Sequence, residues 1–189
     1  MEIEDTAIAD VKILSPKKFG DHRGFFSEVW NERTLADAGL DLRFVQDNHA
    51  LSAEAGTLRG LHYQLDPAAQ GKLVRVVRGA VLDVAVDIRA GSPTFGQHVA
   101  VELSADNWRQ LWVPRGFAHG YCTLQPNTEL VYKVTDYYSP DHDCGIFWND
   151  PALGIKWPVA PEKAILSEKD TVLPRLQDQT RLFDFEGKT

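Results

Sequence analysis

After residue 40, apolar and polar residues alternate in short runs, and residues that favour turns close each run. A period of two sends one side of an extended segment to a core and the other to water, whereas a helix spaces its apolar residues about three to four apart. The segments 57–64, 72–78, 81–88, 98–103, 108–113, 117–124 and 129–137 fit the period of two. Between them fall Arg78-Gly79-Ala80, Ala90-Gly91-Ser92-Pro93, Ser104-Ala105-Asp106-Asn107 and Gln125-Pro126-Asn127, which are hairpin-length connections. The pattern predicts an all-β sandwich or barrel. One short helix is expected over 32–38, with Asn31 as N-cap and Gly39 just past the end. The proline- and glycine-rich stretch 151–161 reads as a wrapping C-terminal loop, Ser167-Glu168-Lys169-Asp170 as the start of a helical turn, and 184–189 as a fraying end.

With 189 residues, 43% of them hydrophobic, the chain can bury one core, so one domain is expected across 1–189. A net charge of -7 leaves no general footprint for nucleic acid or an anionic membrane surface, so an anionic ligand needs a local basic cluster. The start, Met1-Glu2-Ile3-Glu4-Asp5, is acidic where a secretory signal is basic, and no apolar run approaches the roughly 18 residues of a membrane span. A cytoplasmic protein is expected. Cys122 and Cys144 make no disulfide framework and read as free thiols.

Strand parity sorts the polar residues by face. His62 shares a face with Gln64, Lys72 with Val74 and Val76, His119 with Phe117 and Tyr121, and Tyr132 with Leu130 and Val134. If those four faces coincide, the interior holds two histidines, a lysine and a tyrosine. Histidine is the usual general base near neutral pH. Pro114-Arg115-Gly116-Phe117-Ala118-His119 matches the second motif of cupin barrels, whose last residue is often a metal ligand. A catalytic metal needs three or four nitrogen or oxygen donors. The first motif would supply a His-x-His pair and a Glu, but the chain reads His62-Tyr63-Gln64 with no Glu before Gly79. A metal site is therefore not expected.

The runs Phe19-Gly20-Asp21-His22-Arg23-Gly24-Phe25-Phe26-Ser27-Glu28, Phe44-Val45-Gln46-Asp47-Asn48, Arg59 to Gln64 and Gln70 to Val76 carry a more specific likeness, continued by Asp83 to Arg89, Gly116 to Gly120, Tyr132-Lys133, Trp148-Asn149-Asp150-Pro151 and Ser167 to Asp170. In this order they resemble the dTDP-4-dehydrorhamnose 3,5-epimerases over nearly the whole chain. The resemblance implies a cupin-type jelly-roll barrel, a homodimer, no cofactor, and dTDP-4-dehydro-6-deoxy-D-glucose as substrate, inverted at C3 and C5. It implies His62 as base, oriented by Asp170, with Lys72 at the enolate oxygen and Tyr132 as the acid on the other face. Around the ligand it sets Arg23, Phe26, Glu28, Gln46, Asn48, Arg59, His119, Asp143 and Lys169; relatives often carry Glu where this chain has Asp143. The motifs are less specific for which relative within the family, because epimerases acting at the 3- or the 5-position alone look similar. A metal-dependent cupin enzyme and a non-catalytic sugar-binding cupin are the other readings.

The chemistry of the residues fits independently of the likeness. Hydrogens beside a ketone become acidic only when the developing enolate is stabilised, so such a site needs a base, a cation at the ketone oxygen and an acid on the opposite side.

Overall fold

The computed structural model describes residues 1–185. Fifteen strands are present: β1 (Glu2–Asp5), β2 (Lys12–Ser15), β3 (Phe19–Asp21), β4 (Gly24–Phe26), β5 (Gln46–Ser52), β6 (Leu58–Gln64), β7 (Lys72–Arg78), β8 (Ala80–Asp87), β9 (Arg89–Ala90), β10 (His98–Ser104), β11 (Gln110–Val113), β12 (Phe117–Thr123), β13 (Thr128–Val134), β14 (Asp143–Gly145) and β15 (Phe183–Asp184). The seven expected strands are all there. Two are shorter by two residues than the alternation suggests. Trp108 has a φ of +62° and belongs to a turn, so β11 starts at Gln110, and β13 stops at Val134.

The strands form a six-stranded sheet in the order β1-β2-β11-β7-β13-β5 and a five-stranded sheet in the order β10-β8-β12-β6-β14. Every pairing within them is antiparallel, and sequence neighbours repeatedly fall in opposite sheets, which is jelly-roll connectivity. The expected barrel closure is corrected in one respect: no ladder joins β5 to β14 or β1 to β10, so the two sheets face each other as open layers. Between them lies a core of Val74, Val76, Leu111, Val113 and Leu130 against Val81, Ala85, Val99, Leu103, Phe117 and Tyr121.

Outer faces are covered by what is not strand. Helix α1 (Glu32–Asp37) is capped by Asn31, whose side chain accepts from the Thr34 amide at 3.1 Å, and it buries Leu35 against Leu14, Leu73 and Trp112. The C-terminal segment wraps the other sheet, setting Leu153 and Leu176 on Leu61, Val84, Val86, Ala118 and Ile146. Each such fully buried aliphatic side chain contributes about 1.5–3 kcal/mol. Helix α2 (Glu168–Thr171) opens at Ser167, as expected. Of the end expected to fray, Asp184 lies in β15, paired with Ala90; residues 186–189 lie outside the described residues. Among the described residues no helix is long and apolar enough to cross a membrane.

Candidate active site

The site begins with a bulge. Along the β6–β12 ladder, His119 pairs with His62 and Tyr121 with Arg59, so one residue of β12 stands opposite two of β6. The extra residue reverses the parity of β6, and Arg59 and His62 face the same interior although simple alternation separates them. Glycines permit it. A Cβ on Gly60 would lie 2.5 Å from the Gly120 Cα, and one on Gly120 would lie 2.8 Å from the Arg59 carbonyl oxygen, while Gly60 also has a φ of +129°.

Between the sheets this face opens into a cavity of about 440 Å³ whose lining includes His62, Lys72, His119, Tyr132, Arg59 and Asp170. The four interior faces sorted by parity therefore coincide. The wall bearing Asp170 is fixed by backbone: the Leu58 amide donates to the Ile165 carbonyl at 2.9 Å, and the Ile165 amide to the Gly56 carbonyl at 3.0 Å. An adjoining cavity of about 200 Å³ adds Gln46, Asn48, Tyr138, Asp143 and Lys169 and shares His62, Lys72 and Tyr132.

His62 Nε2 lies 2.5 Å from Asp170 Oδ1, and the Asp170 carboxylate is 2% exposed. Burial pushes the Asp170 carboxyl up, but the bond and charge of His62, the Ser167 hydroxyl (2.9 Å) and Lys169 outweigh it and hold it below the ordinary value. With Nε2 tied to a carboxylate, Nδ1 is the ring nitrogen left to act on a ligand. Burial pushes the Lys72 ammonium down to about 8, against the charges of Asp83 and Asp143, and its Nζ donates to the His62 carbonyl at 3.4 Å. Burial raises the Tyr132 phenol, with Arg59 opposing, so it stays protonated at neutral pH.

The binding candidates divide into two groups. Gln46 donates to the Asn48 side chain at 2.8 Å, Lys169 pairs with Asp143, and Arg59 donates to the Leu51 carbonyl at 3.3 Å, all at the cavities. Arg23, Phe26 and Glu28 line neither. Arg23 and Phe26 lie on the exposed β3–β4 hairpin and Glu28 just beyond it; Arg23 is paired with Asp21 at 2.5 Å, and Phe26 is 71% exposed.

Two residues escaped the sequence reading. Asp83, wholly buried, bonds His119 Nε2 at 2.8 Å, so the pocket holds a second histidine–carboxylate pair. Its signal was a carboxylate inside the otherwise apolar run 81–86, since unpaired acids are rarely buried. Tyr138, exposed at the cavity mouth, follows a strand that ends before it and carried no periodic signal.

A jelly roll whose interior sets a histidine–carboxylate pair, a depressed lysine and a protonated phenol around one cavity defines a pocket for moving protons on and off carbon. The sequence model of dTDP-4-dehydrorhamnose 3,5-epimerase matches residues 5–178, and the chain belongs to that family. It is 55% identical to the dTDP-4-dehydrorhamnose 3,5-epimerase of Sinorhizobium fredii over 176 residues, 93% of this chain and 90% of the relative. A crystal structure of the Bacillus anthracis enzyme of that name, with TDP and PPi bound, is 55% identical with a TM-score of 0.89, covering 92% of this chain and 98% of its own. The Legionella pneumophila dTDP-6-deoxy-D-glucose-3,5-epimerase in complex with dTDP-4-keto-L-rhamnose is 46% identical with a TM-score of 0.93, covering 98% and 99%. A more distant neighbour is a double mutant of a 3'-monoepimerase from Streptomyces bikiniensis in complex with dTDP, 33% identical with a TM-score of 0.84, covering 91% and 86%.

Proposed function

We propose that the chain converts dTDP-4-dehydro-6-deoxy-D-glucose to dTDP-4-dehydro-L-rhamnose, inverting C3 and C5 by proton abstraction beside the C4 ketone. The observation that carries this reading is the His62–Asp170 pair on a cavity shared with Lys72 and Tyr132. His62 Nδ1 takes the proton from the carbon flanking the ketone, and the C–H electron pair moves into the enolate. Asp170 stabilises the imidazolium. The Lys72 ammonium meets the enolate oxygen. Tyr132 then gives its hydroxyl proton to the same carbon from the other face, and solvent restores both groups before the second carbon reacts. The Streptomyces bikiniensis protein was altered at a histidine and a tyrosine 70 positions apart, the separation of His62 and Tyr132 here, which supports this pairing of roles.

Arg59, His119, Gln46, Asn48, Asp143 and Lys169 line the route for the nucleotide, with Arg59 offering paired donors to phosphate. Tyr138 presents an aromatic face on which a nucleobase can stack. Arg23, Phe26 and Glu28 reach a site in a homodimer, where the hairpin of one copy completes the cavity of the other; the exposed Phe19, Phe25 and Phe26 give it an apolar surface for that docking.

The 3'-monoepimerase neighbour favours a second reading, inversion at C3 only. Proton NMR of the product made from dTDP-4-dehydro-6-deoxy-D-glucose separates the two. The L-rhamno configuration supports the 3,5-epimerase, a sugar changed at C3 alone supports the second reading, and unchanged substrate contradicts both.

A further inference from the structure

We propose that Asp83 is a positioning residue of the reaction, a buried carboxylate that orients His119 through one oxygen and steadies the Lys72 ammonium through its charge. The inference rests on reading the cavity as an epimerisation site. Asp83 lies on β8 directly opposite Tyr121 and diagonal to His119, on the face of the sheet that meets the cavity. It is 0% exposed, and its Oδ1 accepts from His119 at 2.8 Å while its Oδ2 has no hydrogen-bond partner. A buried carboxylate with one oxygen unsatisfied is costly to keep, and a hydrophobic residue of like size would serve the core better.

The Asp83 charge also bears on Lys72. The ammonium makes only a 3.4 Å bond to the His62 carbonyl, so no short hydrogen bond fixes it. The two cavities that Lys72 lines are also lined by His62 and Arg59 from β6, His119 from β12, Tyr132 from β13, Asp143 from β14, and Lys169 and Asp170 from α2, while Asp83 of β8 stands outside the lining, bonded to His119. Burial draws it down to about 8, and Asp83 is the strongest of the charges that oppose the fall, ahead of Asp143, while Lys169 adds to it. An ammonium poised there loses its proton within the working range once the Asp83 charge is removed.

The test is the pH profile of kcat/KM for wild type, Asp83→Asn and Asp83→Glu on the 4-keto sugar nucleotide. Wild type is expected to lose activity on an alkaline limb near 8. Asp83→Asn moves that limb to lower pH, with about a tenfold loss on the alkaline side for each unit of displacement, and Asp83→Glu leaves it in place. A merely structural role lowers activity without moving the limb, so an unmoved limb in Asp83→Asn overturns the inference. If Asp83→Asn does not fold, the wild-type profile still decides, because a limb at the ordinary lysine position near about 10.4 contradicts a lysine poised in this way. A wild type with no turnover at any pH overturns the epimerase reading and this inference with it, whereas an active wild type with an unmoved limb overturns this inference alone.

Discussion

His62 and His119 stand directly opposite each other across the β6–β12 ladder, and each has its Nε2 bonded to a buried carboxylate, at 2.5 Å to Asp170 and 2.8 Å to Asp83. The two pairs differ in where the carboxylate comes from. Asp83 belongs to the neighbouring strand of the same sheet, while Asp170 arrives on a short helix from the end of the chain. The His62–Asp170 pair is thus completed only when the C-terminal segment has wrapped the sheet.

Asp170→Asn keeps the shape of that carboxylate and removes its charge. Turnover is expected to fall by about 10²-fold or more, within the range for disabling general acid–base catalysis. Because the folded-state carboxyl is held below its ordinary value, its stabilisation is present above the unfolded pKa of about 3.9 and is lost as pH falls through the lower folded value. The stability gap between wild type and variant, followed by urea unfolding, is expected to be widest near neutral pH and to narrow below about pH 4. A gap that widens in acid contradicts the assignment.

The bulge makes its own prediction. In Gly120→Ala the added methyl meets the Arg59 carbonyl, and in Gly60→Ala it meets the Gly120 Cα on a backbone that already disfavours side chains. Overpacking of this kind costs about 1–3 kcal/mol, with the positive φ adding to the Gly60 change. Gly60→Ala is expected to be the less stable of the two by denaturant unfolding, and both to lose activity through the displaced His62. Wild-type stability in both variants would show that the two backbones are not in close contact.

The alternation exposed seven of the eleven strands in the two large sheets, because an antiparallel layer with one wet face writes its burial into every second residue. β5 escaped for a physical reason. Its inward Gln46 and Asn48 line the cavity, and its outward Asp47 and His49 pair with Lys133 and Glu129, so neither face is apolar. Parity also separated Arg59 from His62, because it cannot see a bulge that depends on two glycines meeting across strands. The partner of His119 was legible only as an acid among valines. Whether the sheets close into a barrel is decided by their edges, on which the period of two is silent.

The homodimer can be tested by complementation as well as by mass. Light scattering is expected to give about twice the 21.2 kDa of the chain. Arg23→Ala and His62→Asn are each expected to be nearly inactive alone. Mixed and allowed to exchange subunits, they form heterodimers in which one cavity has a native His62 and receives a native Arg23, so activity returns. A fully active monomer, or no recovery on mixing, contradicts a hairpin shared between copies.

Chelator is expected to leave turnover unchanged. Among the described residues no group of three or more histidine, cysteine, aspartate or glutamate side chains is arranged to hold a metal ion, and both cavity histidines are already paired with carboxylates. Activity that disappears with chelator and returns with a divalent cation would overturn this expectation.

In the proposed reaction, abstraction and reprotonation occur from opposite faces by different residues, His62 and Tyr132. Proton NMR in heavy water reads both steps in one sample, since solvent deuterium enters the substrate pool whenever the base acts, and the epimer forms only when the acid delivers from the far side. In Tyr132→Phe the ring still packs and only the donor is gone. Deuterium is expected to wash into the unreacted sugar through His62 while epimer formation falls steeply, so the ratio of exchange to inversion rises well above that of wild type. Equal loss of exchange and inversion, or inversion at the wild-type rate, would contradict the account.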